Sequence, residues 1–184
     1  QKLLVVISAM GKTTNALEKV AEAFYAGRKE DALALFEVIK TQHLDTARQI
    51  LVHGYNAAYT SLLDIFTEVE WLLHDRPVKD YDYYYDQVVS AGELISTCIM
   101  SAYLNESGIS NEWVDVRDIF QTDNNFRDAA INWNITQKKV TNEILPRLRT
   151  GNIVITQGFI GSTTDNESTT LGREGSDYTA AVFA

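Results

Sequence analysis

Residues 3–24 read LLVVISAMGKTTNALEKVAEAF, and this segment carries the first indication of the fold. Leu3–Ile7 is a continuous apolar run, the pattern of a strand that is buried on both faces. A polar loop follows over Ser8–Asn15, after which apolar residues such as Leu17 and Val20 recur at helical spacing. The order of strand, loop and helix predicts the start of a βα unit.

Helical periodicity continues beyond this unit. From Glu30 to about Arg76 apolar residues recur every three or four positions without a strand pattern between them. The pattern ends at Asp75-Arg76-Pro77, because the residue before a proline is pushed out of helical geometry. The tyrosines of DYDYYYDQVV (80–89) are interpreted as packing residues of a core or an interface, since aromatic rings bury large areas. We expect a helical region at about residues 30–90.

Strands and helices alternate in the second half. A helix is predicted after Gly92, with Glu93 in its first turn. Glu112–Phe120 alternates apolar and charged residues like a strand, and Ile153–Ile155 is typical of a buried strand. Between them, apolar residues from Ile135 to Leu148 have helical spacing. Such alternation predicts an α/β fold with a mostly parallel sheet and helices on both faces.

The composition excludes several functions. A net charge of −9 without a lysine and arginine cluster disfavours nucleic acid as a partner. No apolar run approaches the ~20 residues of a membrane helix, so a soluble, cytoplasmic protein is expected. The single Cys98, in an apolar helical pattern, is interpreted as a buried thiol in a reducing compartment. His43, His53 and His74 lack partners at ligand spacing, so no metal site is predicted from them.

Three loops that follow strands could hold a ligand, since open parallel sheets bind ligands at the carboxyl ends of their strands. They lie in VVISAMGKTTNAL (5–17), IVITQGFIGST (153–163) and TTLGREGSDYTAA (169–181). The first is not a Walker P-loop, because the required glycine-lysine pattern is absent. In the third, Arg173 supplies a planar fork for a carboxylate or a phosphate.

Each of these groups also has a purely structural interpretation. Ser176 or Asp177 would serve as the N-cap of a final helix. Arg173 would pair with Glu174 or another surface acid, which stabilises little. Glu93 at a helix start would complement the helix dipole. Their occurrence together on strand-to-helix loops favours the functional interpretation.

Three strings in this order resemble the aspartate kinases of the amino-acid kinase superfamily. They are VVISAMGKTTNAL, SAGELIST (90–97), and TQGFIGST (156–163) followed by TTLGREGSDYTAA, with WVDVRDIFQTDNNF (113–126) between the second and the third. The resemblance runs the length of the chain. It implies a three-layer αβα sandwich and transfer of the γ-phosphoryl group of ATP to the side-chain carboxylate of L-aspartate. The product would be 4-phospho-L-aspartate, and the reaction would be the first step of lysine, threonine and methionine biosynthesis.

The resemblance also assigns site residues. The positions that resemble the family's substrate-binding residues are Ser8, Thr14, Glu93, Phe159, Arg173 and Ser176. Among them, Glu93 is expected to receive the amino group of aspartate and Arg173 to clamp its α-carboxylate. Asp177 resembles the catalytic aspartate, and we expect it to orient the catalytic lysine or to organise the charged site. Mg-ATP is implied by the family and not by any cluster of metal ligands in the sequence.

The chemistry of aspartate fits these residue types. The substrate carries one ammonium and two carboxylates, so its site needs one acid, one bidentate base and several neutral donors. Phosphoryl transfer needs positioning and charge stabilisation more than covalent help. Glu174, where many relatives have glycine, and Lys12, in a variable loop position, receive no role.

The resemblance further implies that residues 1–184 are a partial catalytic domain. The family's lysine-phenylalanine-glycine-glycine string is expected before Gln1, and the nucleotide-binding half and the regulatory ACT domains after Ala184. The chain alone is expected to be inactive, and homo-oligomers are expected to form through the other parts. The alternatives are the kinase part of a bifunctional aspartate kinase and homoserine dehydrogenase, or a catalytically dead regulatory or assembly module. A kinase for glutamate or a nucleotide is less favoured, because Glu93 with Arg173 suits a free amino acid such as aspartate.

Overall fold

Three parallel strands form the central sheet. The computed structural model describes residues 2–184. The strands β1 (Leu3–Ile7), β2 (Asn111–Val114) and β3 (Ile153–Gln157) lie in the order β1-β3-β2. The predicted mostly parallel sheet is therefore confirmed, and the carboxyl ends of all three strands lie at one edge. At β1 the predicted burial on both faces is wrong, because β1 is an edge strand and Leu3 is 42% exposed.

Four long helices pack together on one side of the sheet. They are α1 (Thr13–Tyr25), α2 (Lys29–Ile50), α3 (Tyr55–His74) and α4 (Tyr81–Glu106). Their apolar faces share one buried cluster, and α4 lies against all three strands. The helical region expected at about residues 30–90 corresponds to α2, α3 and the first part of α4, and the predicted break before Pro77 is confirmed. The tyrosine run is confirmed as packing, because Tyr84 is buried with its ring 5.2 Å from that of Phe24.

Shorter helices cover the other face. They are α5 (Trp133–Lys139), a π-helical turn (Val140–Ile144), α6 (Leu145–Arg149) and α7 (Gly175–Phe183). Trp113 on β2 donates a hydrogen bond to Thr97 of α4, whereas the next residue, Val114, packs with Val154 and Ile144 in a second buried cluster. Because side chains alternate along a strand, these contacts lie on opposite faces. The predicted three-layer αβα sandwich is confirmed.

A small antiparallel hairpin was not predicted. It consists of β4 (Ile160–Ser162) and β5 (Ser168–Thr170), which follow β3 and lead the chain towards α7. Strands of three residues that contain glycine, serine and threonine give no alternation long enough to detect. The hairpin joins two of the three loops in which the sequence places a ligand.

The position of Glu93 in its helix differs from the prediction. It lies in the middle of α4, which continues through Gly92 without a break. A Cβ on Gly92 would lie 3.0 Å from Leu17 Cδ1 and 3.3 Å from Ala9 Cβ. The glycine therefore allows α1 and the loop after β1 to approach α4 closely, and it does not mark a helix boundary. The helix-dipole interpretation of Glu93 is wrong.

Two predicted boundaries are corrected by local hydrogen bonds. The strand predicted over Glu112–Phe120 ends at Val114, because the Asp115 carboxylate accepts a bond of 2.9 Å from Arg117 N and closes a 3₁₀ turn. The predicted loop Ser8–Asn15 is shorter, because α1 begins at Thr13. There the Thr13 amide and hydroxyl both donate to the Met10 carbonyl, at 3.2 and 2.6 Å.

Two further observations complete the fold. Cys98 on α4 is half-buried, and burial raises the pKa of its thiol to about 11, which agrees with an unreactive thiol. Within residues 2–184, none of the helices combines the length and the apolar composition that a bilayer crossing requires.

A buried carboxylate joins α4 to the hairpin and to the loop before α5. Asp86 is fully buried, and it accepts hydrogen bonds from Thr170 N (2.8 Å), Thr170 Oγ1 (2.7 Å) and Arg127 N (2.9 Å). Burial raises the pKa of Asp86 from 3.8 to about 6, although the three hydrogen bonds act in the opposite direction. All of its partners are neutral groups, so its role is structural.

Replacing Asp86 by asparagine is expected to remove a pH dependence of stability. The asparagine oxygen can accept from both backbone amides, and its amide can donate to the Thr170 hydroxyl. Because folding raises the pKa of Asp86, the stability contributed by the protonated form is complete below about pH 4 and is lost as the pH rises through about 6. At pH 7 Asp86→Asn should therefore be the more stable protein, by at most about 3 kcal/mol.

Urea unfolding at pH 4 and pH 7 measures this difference. Asp82→Asn is the control, because Asp82 lies on the same helix with a side chain that is 55% exposed. A stability difference between wild type and Asp86→Asn that is the same at both pH values would contradict the assignment.

Candidate functional site

The structure brings all seven predicted site residues to one cavity. The cavity has a volume of about 360 Å³ and lies where β1 and β3 end and α7 begins. Its walls are formed by Ser8, Thr14, Glu93, Phe159, Gly172, Arg173, Glu174, Gly175, Ser176 and Asp177. This cavity lies at the carboxyl edge of the parallel sheet, where the strand-end rule places a ligand site.

The loop after β1 forms the first wall. The Ile7 carbonyl accepts a hydrogen bond of 3.1 Å from Gly158 N, which fixes the loop against the turn after β3. The Ser8 carbonyl accepts a bond of 2.8 Å from Ser96 Oγ on α4. Thr14 follows in the first turn of α1. The segment that carries the Ser8 and Thr14 hydroxyls is therefore fixed at both ends, by these hydrogen bonds at one end and by α1 at the other.

Glu93 is the buried acid of the cavity. Glu93 is only 1% exposed, and Ser8 Oγ donates a hydrogen bond to Glu93 Oε1 at 3.5 Å. Glu93 Oε2 is the one buried side-chain nitrogen or oxygen atom within residues 2–184 that has no hydrogen-bond partner. Burial raises the pKa of Glu93 from 4.5 to about 8, against the lowering effect of hydrogen bonds from Ser8 and the Ala9 amide. An unpaired buried oxygen of this kind is costly unless a ligand donates to it.

The turn after β3 holds Phe159 in a strained conformation. Phe159 has φ +71°, a left-handed value that is unusual for a bulky residue. Its amide donates to Thr179 Oγ1 at 3.1 Å, and its carbonyl accepts from Leu171 N at 2.8 Å. A Cβ on Gly158 would lie 2.7 Å from the Cα of Ser176. The turn therefore interlocks with the start of α7, which is how strain at a site is usually maintained.

Arg173 is the free cation of the cavity. Its side chain is 94% exposed, and the carboxylate of Glu174 lies 3.9 Å from its Nε. An exposed pair at this distance contributes little free energy, so the guanidinium is available to a carboxylate or phosphate ligand. The interpretation in which Arg173 only pairs with Glu174 has therefore weak support.

Ser176 and Asp177 lie inside the first turn of α7, which begins at Gly175. The N-cap interpretation of these two residues is wrong, because Glu174 with φ +58° occupies that position and makes no side-chain cap bond. The left-handed backbone of Glu174 ends the loop before the two polar residues are reached. Their side chains line the cavity next to the free amides of the helix start, where negative charge is favoured.

The charges of the cavity have a defined arrangement. Buried Glu93 lies on α4, while Arg173 lies on the loop before α7. Such a pair suits a ligand that carries both an ammonium and a carboxylate. Within residues 2–184, no three histidine, cysteine, aspartate or glutamate side chains are close enough to hold a metal ion. His43 is instead buried against Ile39 O, 2.7 Å from its Nδ1.

Two contributors to the site were missed from the sequence. Ser96 belongs to the SAGELIST string and Gly158 to IVITQGFIGST, but neither residue was given a role. Helical spacing would have placed Ser96 on the face of Glu93, had the helix been predicted to run through Gly92. The contact of Gly158 with Ser176 has no local sequence signal, because it depends on how α7 packs.

Comparison with known proteins gives consistent matches. The model of the amino acid kinase family matches residues 1–184. The lysine-sensitive aspartokinase 3 of Escherichia coli is 34% identical over 181 residues, which cover 98% of this chain and 39% of that protein. The chloroplastic bifunctional aspartokinase/homoserine dehydrogenase 2 of Arabidopsis thaliana is 29% identical, with 100% of this chain and 20% of that protein covered.

A solved structure has the same fold. The crystal structure of E. coli aspartokinase III in complex with aspartate and ADP superposes with a TM-score of 0.85 at 31% identity, covering 99% of this chain and 39% of that one. The chain therefore spans about two fifths of the E. coli relatives and a fifth of the plant protein.

Replacing Gly158 by alanine is expected to destabilise the protein by about 1–3 kcal/mol. The new methyl group would lie 2.7 Å from the Ser176 backbone, so α7 or the turn after β3 has to move. Gly54→Ala is the control, because a Cβ there would lie 3.3 Å from a side-chain atom, Glu106 Oε2, and not against backbone. Urea denaturation compares the stabilities of the two variants. Equal stabilities would show that the turn after β3 does not pack tightly against the start of α7.

Proposed function

The chain belongs to the amino acid kinase family, and we propose that it forms the aspartate-binding part of an aspartate kinase. The reaction is transfer of the γ-phosphoryl group of ATP to the side-chain carboxylate of L-aspartate. The observation that carries the proposal is one cavity in which Glu93 has an unpaired buried oxygen and Arg173 has a free guanidinium. The relatives named as aspartokinases, and the E. coli structure with aspartate and ADP, support this substrate.

The substrate is held through two of its three charged groups, the ammonium and the α-carboxylate. Glu93 accepts hydrogen bonds from the ammonium, which satisfies the unpaired Oε2. Arg173 binds the α-carboxylate through its planar fork. The hydroxyls of Ser8, Thr14 and Ser176 supply neutral donors, and the ring of Phe159 supplies an apolar wall. The side-chain carboxylate is left free for the reaction.

The transfer itself needs no general base. An oxygen of the substrate carboxylate attacks the γ-phosphorus, a new P–O bond forms, and the bond to the bridging oxygen breaks, so that ADP leaves with the electron pair. The attacking carboxylate is already ionised at neutral pH, and no proton has to be removed. We therefore assign Asp177 the role of orienting a catalytic lysine or organising the charges at the helix start. This role agrees with its place in the first turn of α7.

ATP and Mg²⁺ are proposed as the phosphoryl donor and its counter-ion. Mg²⁺ in kinases is held mainly by phosphate oxygens, water and one or two carboxylates. Among the described residues that line the cavity, Glu174 and Asp177 carry exposed carboxylates that fit this role, whereas the carboxyl group of Glu93 is buried. The ion would neutralise charge on the phosphates during transfer.

The rest of the protein is also a matter of proposal. By resemblance, we propose that a lysine-glycine-glycine strand precedes this chain and that the nucleotide-binding half and ACT domains follow it. A homo-oligomer formed through those parts stays a prediction. A cytoplasmic location also stays a prediction, since the relatives include chloroplastic proteins. Similarity to the bifunctional plant enzymes favours one alternative, the kinase part of a bifunctional protein. A homoserine dehydrogenase domain after Ala184 would establish it.

Aspartate-dependent formation of ADP tests the proposal. The protein that carries this chain with its flanking segments should form ADP only when aspartate is present. Arg173→Ala and Asp177→Ala should each lower kcat/KM by about a hundredfold or more, because one removes a charged clamp and the other a group at the reacting site. Arg149→Ala is the matched control, since Arg149 ends α6 just before the amino-terminal end of β3.

Circular dichroism checks that the folds of the variants are retained. Full activity in both Arg173→Ala and Asp177→Ala would refute the site assignment. A folded wild-type protein without aspartate-dependent ADP formation would refute the function itself and favour a regulatory module.

Aspartate binding is expected to depend on pH through Glu93. The free carboxyl group is largely protonated at pH 7, because burial raises its pKa to about 8. Binding of the ammonium requires the carboxylate, so binding releases a proton and strengthens by up to tenfold per pH unit between about pH 6 and pH 8. Above the pKa the affinity should level off.

Calorimetry with aspartate in buffers of different ionisation enthalpy measures the released proton. Glu93→Gln is expected to bind aspartate weakly and to lose the dependence on pH between 6 and 8. A wild-type affinity that is constant over this range would show that Glu93 is already ionised in the free protein.

A further inference from the structure

Ser96 occupies a special place relative to the cavity. It follows Glu93 by three positions on α4, so both side chains lie on the same face of the helix. Ser96 is 9% exposed and does not line the cavity. Its hydroxyl donates a hydrogen bond of 2.8 Å to the carbonyl of Ser8, which does line the cavity. Ser96 is therefore placed to act on the site through Ser8.

The loop after β1 rests on α4 at the residues that flank Glu93. On one side Gly92 leaves room for Ala9, whose Cβ would be 3.3 Å from a Cβ at that position. On the other side Ser96 binds the Ser8 carbonyl. These two contacts place the Ser8 hydroxyl and the Ala9 amide towards the Glu93 carboxyl group, to which Ser8 Oγ donates and whose pKa the Ala9 amide also lowers.

The hydrogen bond between Ser8 and Glu93 depends on this packing of the loop against α4, and it is sensitive to small movements. Ser8 Oγ lies 3.5 Å from Glu93 Oε1, at the long end of the hydrogen-bond range. The other bond near Ser8 is made by the preceding residue, Ile7, to Gly158. The bond from Gly158 N to the Ile7 carbonyl does not restrain the Ser8 side chain. This side chain can therefore turn away from Glu93 when the hydrogen bond from Ser96 to the Ser8 carbonyl is lost.

We propose that Ser96 is a positioning residue for aspartate binding, whose hydroxyl holds the Ser8 carbonyl so that Ser8 and Ala9 keep their contacts with Glu93. This inference rests on the proposed function of the cavity. Ser96 touches no substrate in this arrangement, and its effect passes through the backbone of Ser8. Loss of one intramolecular hydrogen bond changes an equilibrium by about two- to tenfold, which sets the size of the expected effect.

A positioning role and a merely structural role differ in their effect on Glu93. The bonds from Ser8 and Ala9 lower the pKa of Glu93 against the effect of burial. When these donors move, that pKa should rise further. The other charged side chains that line the cavity are Arg173, Glu174 and Asp177, and all three remain in place when Ser96 is changed. A change at Ser96 that only loosens the helix would leave the titration of Glu93 unaltered.

The experiment compares three variants of the protein that carries this chain with its flanking segments. Ser96→Ala removes the hydroxyl, and Ser96→Thr keeps it. Ser101→Ala is the matched control, because Ser101 is a buried serine on the same helix whose hydroxyl donates to Asn111 Oδ1 at 2.6 Å, on a different strand. For each variant, kcat, KM for aspartate and KM for ATP are measured between pH 6 and pH 9, together with the stability to urea.

Ser96→Ala should raise KM for aspartate about fivefold, with kcat and KM for ATP within about twofold of wild type. The pH at which KM for aspartate levels off should rise in the same variant. Ser96→Thr should restore both values. Ser101→Ala should lose stability without either change.

Two results would overturn the inference while leaving the proposed function intact. One is an active wild type in which Ser96→Ala has unaltered KM for aspartate and an unaltered pH profile. The other is an equal change of KM in Ser101→Ala. If the added methyl group unfolds Ser96→Thr, the pH profile of Ser96→Ala settles the question alone. A folded wild type without aspartate-dependent activity refutes both proposals at once.

Discussion

The burial of an unpaired carboxyl oxygen in the middle of a helix is the constraint around which the cavity is arranged. Removing a carboxylate from water costs free energy unless donors replace the water. Asp86 and Glu93 lie on the same helix, and both are at most 1% exposed. Asp86 has three donors, whereas Glu93 accepts one hydrogen bond, from Ser8 Oγ, and keeps Oε2 without a partner. The first carboxyl group joins α4 to the hairpin, and the second keeps an oxygen without a partner in the protein.

The remaining walls are positioned by contacts between segments that are distant in sequence. The parallel sheet brings the ends of β1 and β3 to one edge, and α4 crosses beneath them. Gly158 allows the turn after β3 to touch the backbone of Ser176, and the positive φ of Phe159 is maintained by bonds to Thr179 and Leu171. Because these contacts are interdependent, the cavity is formed before a ligand arrives, which reduces the cost of binding.

Much of this arrangement could be predicted from the sequence, and the rest depended on packing. The apolar run Leu3–Ile7 and the helical periodicity after Glu30 are local signals, and the strand and the helix that they predict are confirmed, although β1 is not buried on both faces. Gly92 was taken for a helix boundary, because a glycine has the same sequence signal whether it ends a helix or admits a neighbour. The strand-end rule singled out the loops that carry Ser8, Phe159 and Arg173, whereas the place of Glu93 in the middle of α4 and the individual roles did not follow from it. No sequence pattern singled out Ser96, since its proposed role depends on one hydrogen bond to the Ser8 carbonyl.

Under the proposed function, the geometry also explains how an acidic chain selects an acidic ligand. With a net charge of −9, the chain repels anions at long range, so attraction has to come from local groups. Arg173 is the one cation among the residues that line the cavity, and the amides at the start of α7 lie beside it. A dicarboxylate without an amino group would bind Arg173 but leave Glu93 Oε2 unpaired or protonated. An amino acid satisfies both groups, so the buried carboxylate discriminates by the cost of leaving it without a partner.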